Sequence, residues 1–236
     1  MPKSYDAWTV LPHGPVEAVA ENLWRVEGSL PEGPIKRVMT AARRADGALV
    51  LHNAVAMDED RMRALEALGR PAWLLVPNGW HRLDARAFKD RYPEARVACP
   101  AGARRRVEEV VPVDATYADF PGDDAVTLEH LDGVRAGEGV MRVASADGTT
   151  LVFNDLVTNM AHLPGLYGFV YRLLGATGGP RVHGMVRRFL VKDRPAFRAH
   201  LERLAALPSL RRIIVSHGAM IAERAGHALA ALAARS

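Results

Sequence analysis

Residues 73–83 read WLLVPNGWHRL, and residues 213–218 read IIVSHG. In each, a short apolar run stops at turn-forming residues beside a histidine. Such a run is too short for a helix and suits a strand buried on both faces. Trp73–Val76 leads into Pro77-Asn78-Gly79-Trp80-His81, and Arg212–Val215 leads into Ser216-His217-Gly218. A third run, Thr149–Asn154 (TTLVFN), stops at Asp155. His81, Asp155 and His217 therefore each lie just past the C-terminal end of a strand, where loops carry functional groups on a rigid scaffold.

Working outward, Leu23–Gly28 and Ile35–Arg43 read as strands. Ala45-Asp46-Gly47 is a turn, and Ala48–His52 is a third strand, which together make a β-meander. Asp58–Leu68 has acidic residues in its first turn and Met62, Leu65 and Leu68 at helical spacing, with Gly69 and Pro71 as stops. Ala85–Arg91 reads as a helix, Arg96–Ala98 as a short strand and Val110–Val113 as another. Val126–His130 and Gly139–Ala144 are strands, and Asp147-Gly148 turns the second into Thr149–Asn154. Pro195–Leu207 is a helix, and Ala219–Ala234 closes the chain as an alanine-rich one. Two β-rich halves, each finished by βα units, predict an α/β (α+β) fold. Two sheets pack face to face with helices outside, in one domain spanning residues 1–236.

Composition narrows the function classes. Cys99 is the only cysteine, which excludes an intrachain disulfide and a cysteine zinc knuckle. A small buried residue is the reading for Cys99. The opening residues carry no secretory h-region, and no apolar run reaches the roughly 18 to 20 residues of a spanning helix. The expectation is a cytoplasmic protein with no membrane partner. The net charge is +4, but the one dense basic run, Arg104-Arg105-Arg106, lacks interleaved aromatic residues, so no nucleic-acid partner is expected. No G-x-S-x-G elbow accompanies Ser216-His217, which argues against a serine hydrolase. Gly175–Gly179 (GATGG) lacks the lysine of a phosphate loop and reads as a flexible connection.

Histidine and aspartate are suitable zinc or iron ligands. A metal held by three protein groups keeps a position for water, which it makes acidic enough to supply hydroxide near neutral pH. Each residue also has a plainer reading. His81 could brace its loop, Asp155 could cap a turn, and His217 could brace the turn at Gly218.

The segments WLLVPNGWHRL, AFKDRYPEARVACP (87–100), TLVFNDLVTN (150–159) and IIVSHG together resemble metallo-β-lactamase-like proteins. The resemblance runs from about Leu23 to the C-terminus and is most specific between Glu66 and Pro100. It implies a four-layered αββα sandwich. It also implies that Asp155 and His217 stand at the family's bridging aspartate and last histidine. The family's first motif, His-x-His-x-Asp-His, is here reduced to Asn78-Gly79-Trp80-His81-Arg82-Leu83-Asp84. Asn78 reads as a turn residue rather than a ligand substitute. Asp84 either replaces a ligand or caps the following helix. His130, in LEHLDG, is the candidate for the middle histidine, or else an ordinary strand-end residue. The resemblance thus implies His81, His130, Asp155 and His217 as metal candidates, with His81 and Asp155 catalytic. The site is at most mononuclear, holding one zinc or iron ion, with an empty site as the alternative.

The expected activity is metal-dependent hydrolysis of a small-molecule ester, thioester, amide or phosphoester. The alternatives are a non-catalytic descendant that binds a small molecule or a protein, and an oxygen- or redox-linked iron site on the same scaffold. Met160–Leu174 (MAHLPGLYGFVYRLL) is apolar at helical spacing. It is either a core-packing helix, or a lid over the site or homodimer surface, with His162 and His183 flanking it.

Overall fold

The computed structural model describes residues 4–135, 137–182 and 184–235, without the side chains of residues 185 and 186. Seven strands form one sheet in sequential order. They are β1 (Glu17–Ala20), β2 (Leu23–Ser29), β3 (Lys36–Arg43), β4 (Leu49–His52), β5 (Pro71–Leu75), β6 (Arg96–Cys99) and β7 (Ala115–Thr116). The first four pair antiparallel, as the meander predicts, and the rest pair parallel. Helices α1 (Glu59–Glu66), α2 (Ala85–Arg91) and α3 (Arg104–Val107) connect the parallel strands. Asp58 caps α1 by accepting from the Arg61 amide, which satisfies an otherwise orphaned donor.

The second sheet uses β8 (Val126–His130), β9 (Gly139–Ser145) and β10 (Gly148–Phe153). A ribbon of β11 (Val157–Met160) and β12 (Gly179–Val182) follows, with α4 (Gly165–Leu173) between its strands. Next come α5 (Gly184–Leu190), α6 (Arg194–Ala205), β13 (Leu210–Val215) and α7 (Ala225–Ala234). The order across this sheet is β13-β10-β9-β8, with β13 parallel to β10.

Period-two alternation explains the unbroken apolar runs. In β5, Leu74 faces the helices of the first layer, whereas Trp73 and Leu75 face the second sheet. In β13, Ile213 and Val215 pack with α6 and α7, whereas Ile214 enters the space between the sheets. Both sheets are therefore covered on both faces, giving helix, sheet, sheet and helix layers. The strand-end residues of β4, β5, β10 and β13 reach the same rim.

Several local expectations need correction. Val110–Val113 is not a strand. The pairing falls instead at Ala115–Thr116, because Val110, Val111 and Val113 pack into the core under α3. The final helix begins at Ala225, not Ala219. Ile221 first pairs with Ile213 as an isolated bridge, and Arg224 takes a left-handed turn. Gly175–Gly179 is not a flexible connection. Ala176 and Thr177 are buried, and the Arg181 guanidinium donates to the carbonyls of Gly175, Gly178 and Gly179. The core-packing reading of Met160–Leu174 also fails. Met160 ends β11, and α4 buries only Gly168, against the Leu163 backbone. Cys99 is fully buried, and burial raises its thiol to about 12, the inert behaviour expected of a core cysteine.

The layering predicts a contrast between two large apolar residues. Phe153 is fully buried, and Phe153→Ala is expected to cost about 3–5 kcal/mol in chemical denaturation. Leu166 of α4 is 79% exposed, and Leu166→Ala is expected to cost under about 0.5 kcal/mol. Comparable losses at the two positions would contradict the assignment of core and surface.

Candidate metal centre

Three of the proposed site residues converge on the rim between the sheets. His81 Nε2 lies 3.0 Å from Asp155 Oδ1, and His217 Nε2 lies 3.3 Å from the same oxygen. The two Nε2 atoms are 3.2 Å apart. Among the described residues, this is the group of histidine and acidic side chains whose ligand atoms lie close enough to share an ion.

Each side chain is held from behind. Asn78 is the turn residue the sequence suggests, with its Oδ1 accepting from the Trp80 and His81 amides at 2.8 and 3.0 Å. Its Nδ2 then donates to Asp155 Oδ2 at 2.7 Å, which leaves Oδ1 to face the histidines. Gly218 holds the His217 loop against β11. The Asn159 amide donates to the His217 carbonyl, and the Ala219 amide donates to the Asn159 carbonyl. A β-carbon at Gly218 would stand 2.0 Å from the Asn159 oxygen, and its φ of +109° is one that side-chain-bearing residues avoid.

The tautomers follow from these partners. Asn53 Nδ2 donates to the Val38 carbonyl at 2.9 Å, so Asn53 Oδ1 is the atom 3.0 Å from His81 Nδ1. That oxygen can only accept, so His81 Nδ1 carries the hydrogen. His217 Nδ1 likewise donates to the Lys36 carbonyl at 2.7 Å. Both neutral rings therefore present the Nε2 lone pair to each other and to a carboxylate oxygen. Three acceptors facing one another repel unless a cation lies between them, either a proton or a metal ion.

The titration behaviour agrees. Burial pushes the Asp155 carboxyl up, but His81 charge and the hydrogen bonds from His217 and His81 outweigh it and hold the carboxyl well below its usual range. Burial pushes His217 down, and its contact with Asp155 reverses this, leaving it raised. Behind the site, His52 is fully buried and driven down to about 3 by desolvation and by His81.

The structure separates the remaining candidates from this cluster. His130 is not part of it. It sits in β8 with its ring 6.0 Å from that of Tyr117, because β8 is the edge strand of its sheet and β9 stands between it and β10. Asp84 is not in the cluster; it stands at the N-cap position of α2, but its side chain makes no capping hydrogen bond. It is buried, pairs with Arg37 at 2.5 Å and accepts from the Ala56 amide. His162 pairs with Thr177 instead of turning inward. His183 lies outside the described residues. Asn53 and Glu138 were not singled out by sequence. Asn53 follows an apolar strand just as Asp155 does, so the same strand-end logic would have found it, and its φ of +57° is a further mark of a functional position. Glu138 carries no such signal, being a lone acid in a glycine-rich loop.

A cavity of about 300 Å³ opens over the cluster. Leu30, Ile35, Trp80, Met160 and Tyr171 give it apolar walls, and the three polar residues converge at one side. This combination is typical of small-molecule sites. Tyr171 comes from α4, so this helix does flank the site, as the lid reading requires.

No family model and no curated protein matches the chain. Solved structures do. FIM-1, a metallo-β-lactamase from Pseudomonas aeruginosa in its mono-zinc form, is 12% identical, with 96% of each chain covered and a TM-score of 0.61. DIM-1, a metallo-β-lactamase exposed to ceftazidime, is 13% identical, covering 98% of this chain and 99% of its own, with a TM-score of 0.62. A metallo-β-lactamase from Erythrobacter litoralis is 13% identical, covering 94% and 96%, with a TM-score of 0.61.

Glu138 yields a test of the site's electrostatics. It is fully buried, its Oε1 accepts from the Leu156 amide at 2.8 Å, and its Oε2 has no partner. Burial, reinforced by the Asp155 charge, raises its pKa well above the ordinary range. The folded value exceeds the unfolded one. Its contribution to stability is therefore complete below about pH 4.3 and is lost as pH climbs through the raised value. Glu138→Gln copies the protonated acid. The variant should gain in melting temperature relative to the parent between about pH 5 and pH 9. A difference that stays constant with pH would refute the buried neutral acid.

Proposed function

We propose that this chain, which has the metallo-β-lactamase fold, is a metal-dependent hydrolase whose single metal is held by His81, Asp155 and His217. The observation that supports this reading is the convergence of two acceptor-state imidazole nitrogens on one carboxylate oxygen, each imidazole braced through its other nitrogen. Such bracing is the usual second layer of a metal site. A tetrahedral ion with ligand bonds of about 2.0–2.2 Å separates its ligands by roughly 3.3–3.6 Å. The separations here of 3.0, 3.3 and 3.2 Å are close to that spacing. The donor set fits.

Three protein ligands are also the number found in catalytic sites, which keep a position open toward substrate. Zinc is the ion favoured here for hydrolysis, and the same two-histidine, one-carboxylate set also serves ferrous iron. When bound, the ion supplies Lewis acidity and lowers the pKa of water, so that hydroxide is available near neutral pH. The chain's own residues do the rest. Asn53 and the Lys36 carbonyl fix both imidazoles in the liganding tautomer. Asn78 turns the Asp155 carboxylate so that Oδ1 faces the histidines. Leu30, Ile35, Trp80 and Tyr171 exclude water from one side of the cavity and suit a substrate with an apolar group beside its ester, thioester or phosphoester. The reduced first motif, with His81 in place of several ligands, accords with a mononuclear site.

Metal analysis of the purified chain checks this reading. About one zinc or iron per chain is expected, falling at least about tenfold in Asp155→Asn. Because His217 must shed its proton to bind, affinity should rise with pH up to its raised pKa. Turnover of a generic phosphodiester or thioester should stop with a chelator and return with the ion. No metal after reconstitution, or turnover indifferent to chelation, would overturn the proposal.

A further inference from the structure

Helix α4 is unusual for a helix beside a cavity. Leu166, Tyr167, Phe169, Val170, Leu173 and Leu174 are all exposed, Leu166 by 79% and Leu173 by 72%. Phe189 at the end of α5 is 61% exposed. Apart from Val10 and Trp80, these are all the exposed large apolar residues among those described. Continuous apolar patches of this kind mark an interaction surface.

Charge identifies what the surface fits. From Leu156 to Lys192 the chain has no aspartate or glutamate, although it carries 27 acidic residues in all. The same stretch carries Arg172, Arg181, Arg187, Arg188 and Lys192. Next to α5, Arg187, Arg188 and Arg194 line a hollow of about 370 Å³. Arg187 also donates to the Arg235 carbonyl, which anchors one of the three guanidinium groups. Guanidinium forks match phosphate oxygens in geometry as well as charge. The start of α5 abuts the end of α4, since a β-carbon on Gly184 would stand 3.6 Å from the Leu174 carbonyl oxygen. The apolar helix and the arginine hollow are therefore neighbours.

We infer that α4 and α5 form a docking surface for an anionic phospholipid bilayer. The apolar side chains enter the acyl boundary while the arginines hold headgroup phosphates. An apolar helix rimmed with arginines is the composition of helices that lie in the interface plane. The absence of a spanning segment and of an h-region, which led to the expectation of no membrane partner, has no bearing on a helix that lies on the surface. A second copy of this chain is the poorer occupant. A two-fold contact sets the same patch against itself and would bring the arginines face to face.

The cavity gains from this placement. Tyr171 of α4 lines it, and Trp80, 62% exposed with the Arg106 guanidinium 5.2 Å from its ring centroid, lines the same cavity. Indole rings beside cations favour the headgroup level. Docking on α4 brings the mouth of the cavity to the lipid–water boundary, where amphiphilic molecules are concentrated. The inference concerns the surface alone and does not depend on the hydrolytic reading.

Co-sedimentation of the full chain with vesicles tests it, without added metal. Binding is expected to vesicles of phosphatidylcholine mixed with phosphatidylglycerol, weakly or not at all to phosphatidylcholine alone, and less at high salt. The variant Leu166→Glu/Leu173→Glu, altered only at exposed positions, should weaken binding at least about tenfold with an unchanged melting temperature. Arg187→Glu/Arg188→Glu should do the same through the arginine hollow. The proposal is overturned by failure to bind the mixed vesicles or by binding that ignores both variants. It is also overturned if glycerol phosphate binds the hollow while vesicles do not, which would make it a site for free anions. A stable dimer in light scattering, dissociated by Leu166→Glu/Leu173→Glu, would identify a second copy as the occupant and equally overturn it.

Discussion

Electrostatic repulsion among three acceptors is the constraint around which the rim of this protein is organised. His81 and His217 cannot turn their nitrogen lone pairs away from Asp155, because Asn53 and the Lys36 carbonyl hold the opposite edges of both rings. Asp155 cannot rotate freely either, because Asn78 holds its second oxygen. The arrangement is stable only with a positive charge in the middle. The raised pKa of His217 and the depressed pKa of Asp155 express the same requirement in the currency of protons. A proton can meet it, and a divalent ion can meet it in competition with the proton.

The fold supplies that constraint cheaply in chain length. Parallel pairing of β4 with β5 and of β10 with β13 brings four strand ends to one edge of the sandwich. Each strand is buried on both faces, so its register is fixed by packing and its terminal residue is placed with little freedom. The loops are then short and internally bonded. Buried charges nearby are compensated separately. Arg37 and Asp84 pair with each other, and Arg37 opposes the His217 charge less strongly than Asp155 favours it.

Much of this could be read from sequence, for physical reasons that also mark the limits. WLLV, LVF and IIV are legible because burial on both faces calls for an apolar residue at every one of these positions. His81, Asp155 and His217 were legible because each lies in the turn or loop that follows such a run. The partners that orient them were not. The Asn53–His81 and Asn78–Asp155 contacts join residues 28 and 77 positions apart, and only strand order and register decide them. His130 and Asp84 show the converse. Each had the residue type and approximate position of a ligand, yet the edge position of β8 and a buried arginine placed them elsewhere. Helix α4 misled for a related reason. Apolar residues at helical spacing record amphipathicity but not what covers the face, and here none of the described residues covers it.

The measurement that addresses the central claim most directly is X-ray diffraction at the zinc edge from crystals of the zinc-loaded chain. A single anomalous peak is expected about 2.0–2.2 Å from His81 Nε2, Asp155 Oδ1 and His217 Nε2 together, with the contacts from Asn53, Asn78 and the Lys36 carbonyl unchanged. A peak bound elsewhere, or a site where the histidines swing apart and leave Asp155 to solvent, would contradict the account.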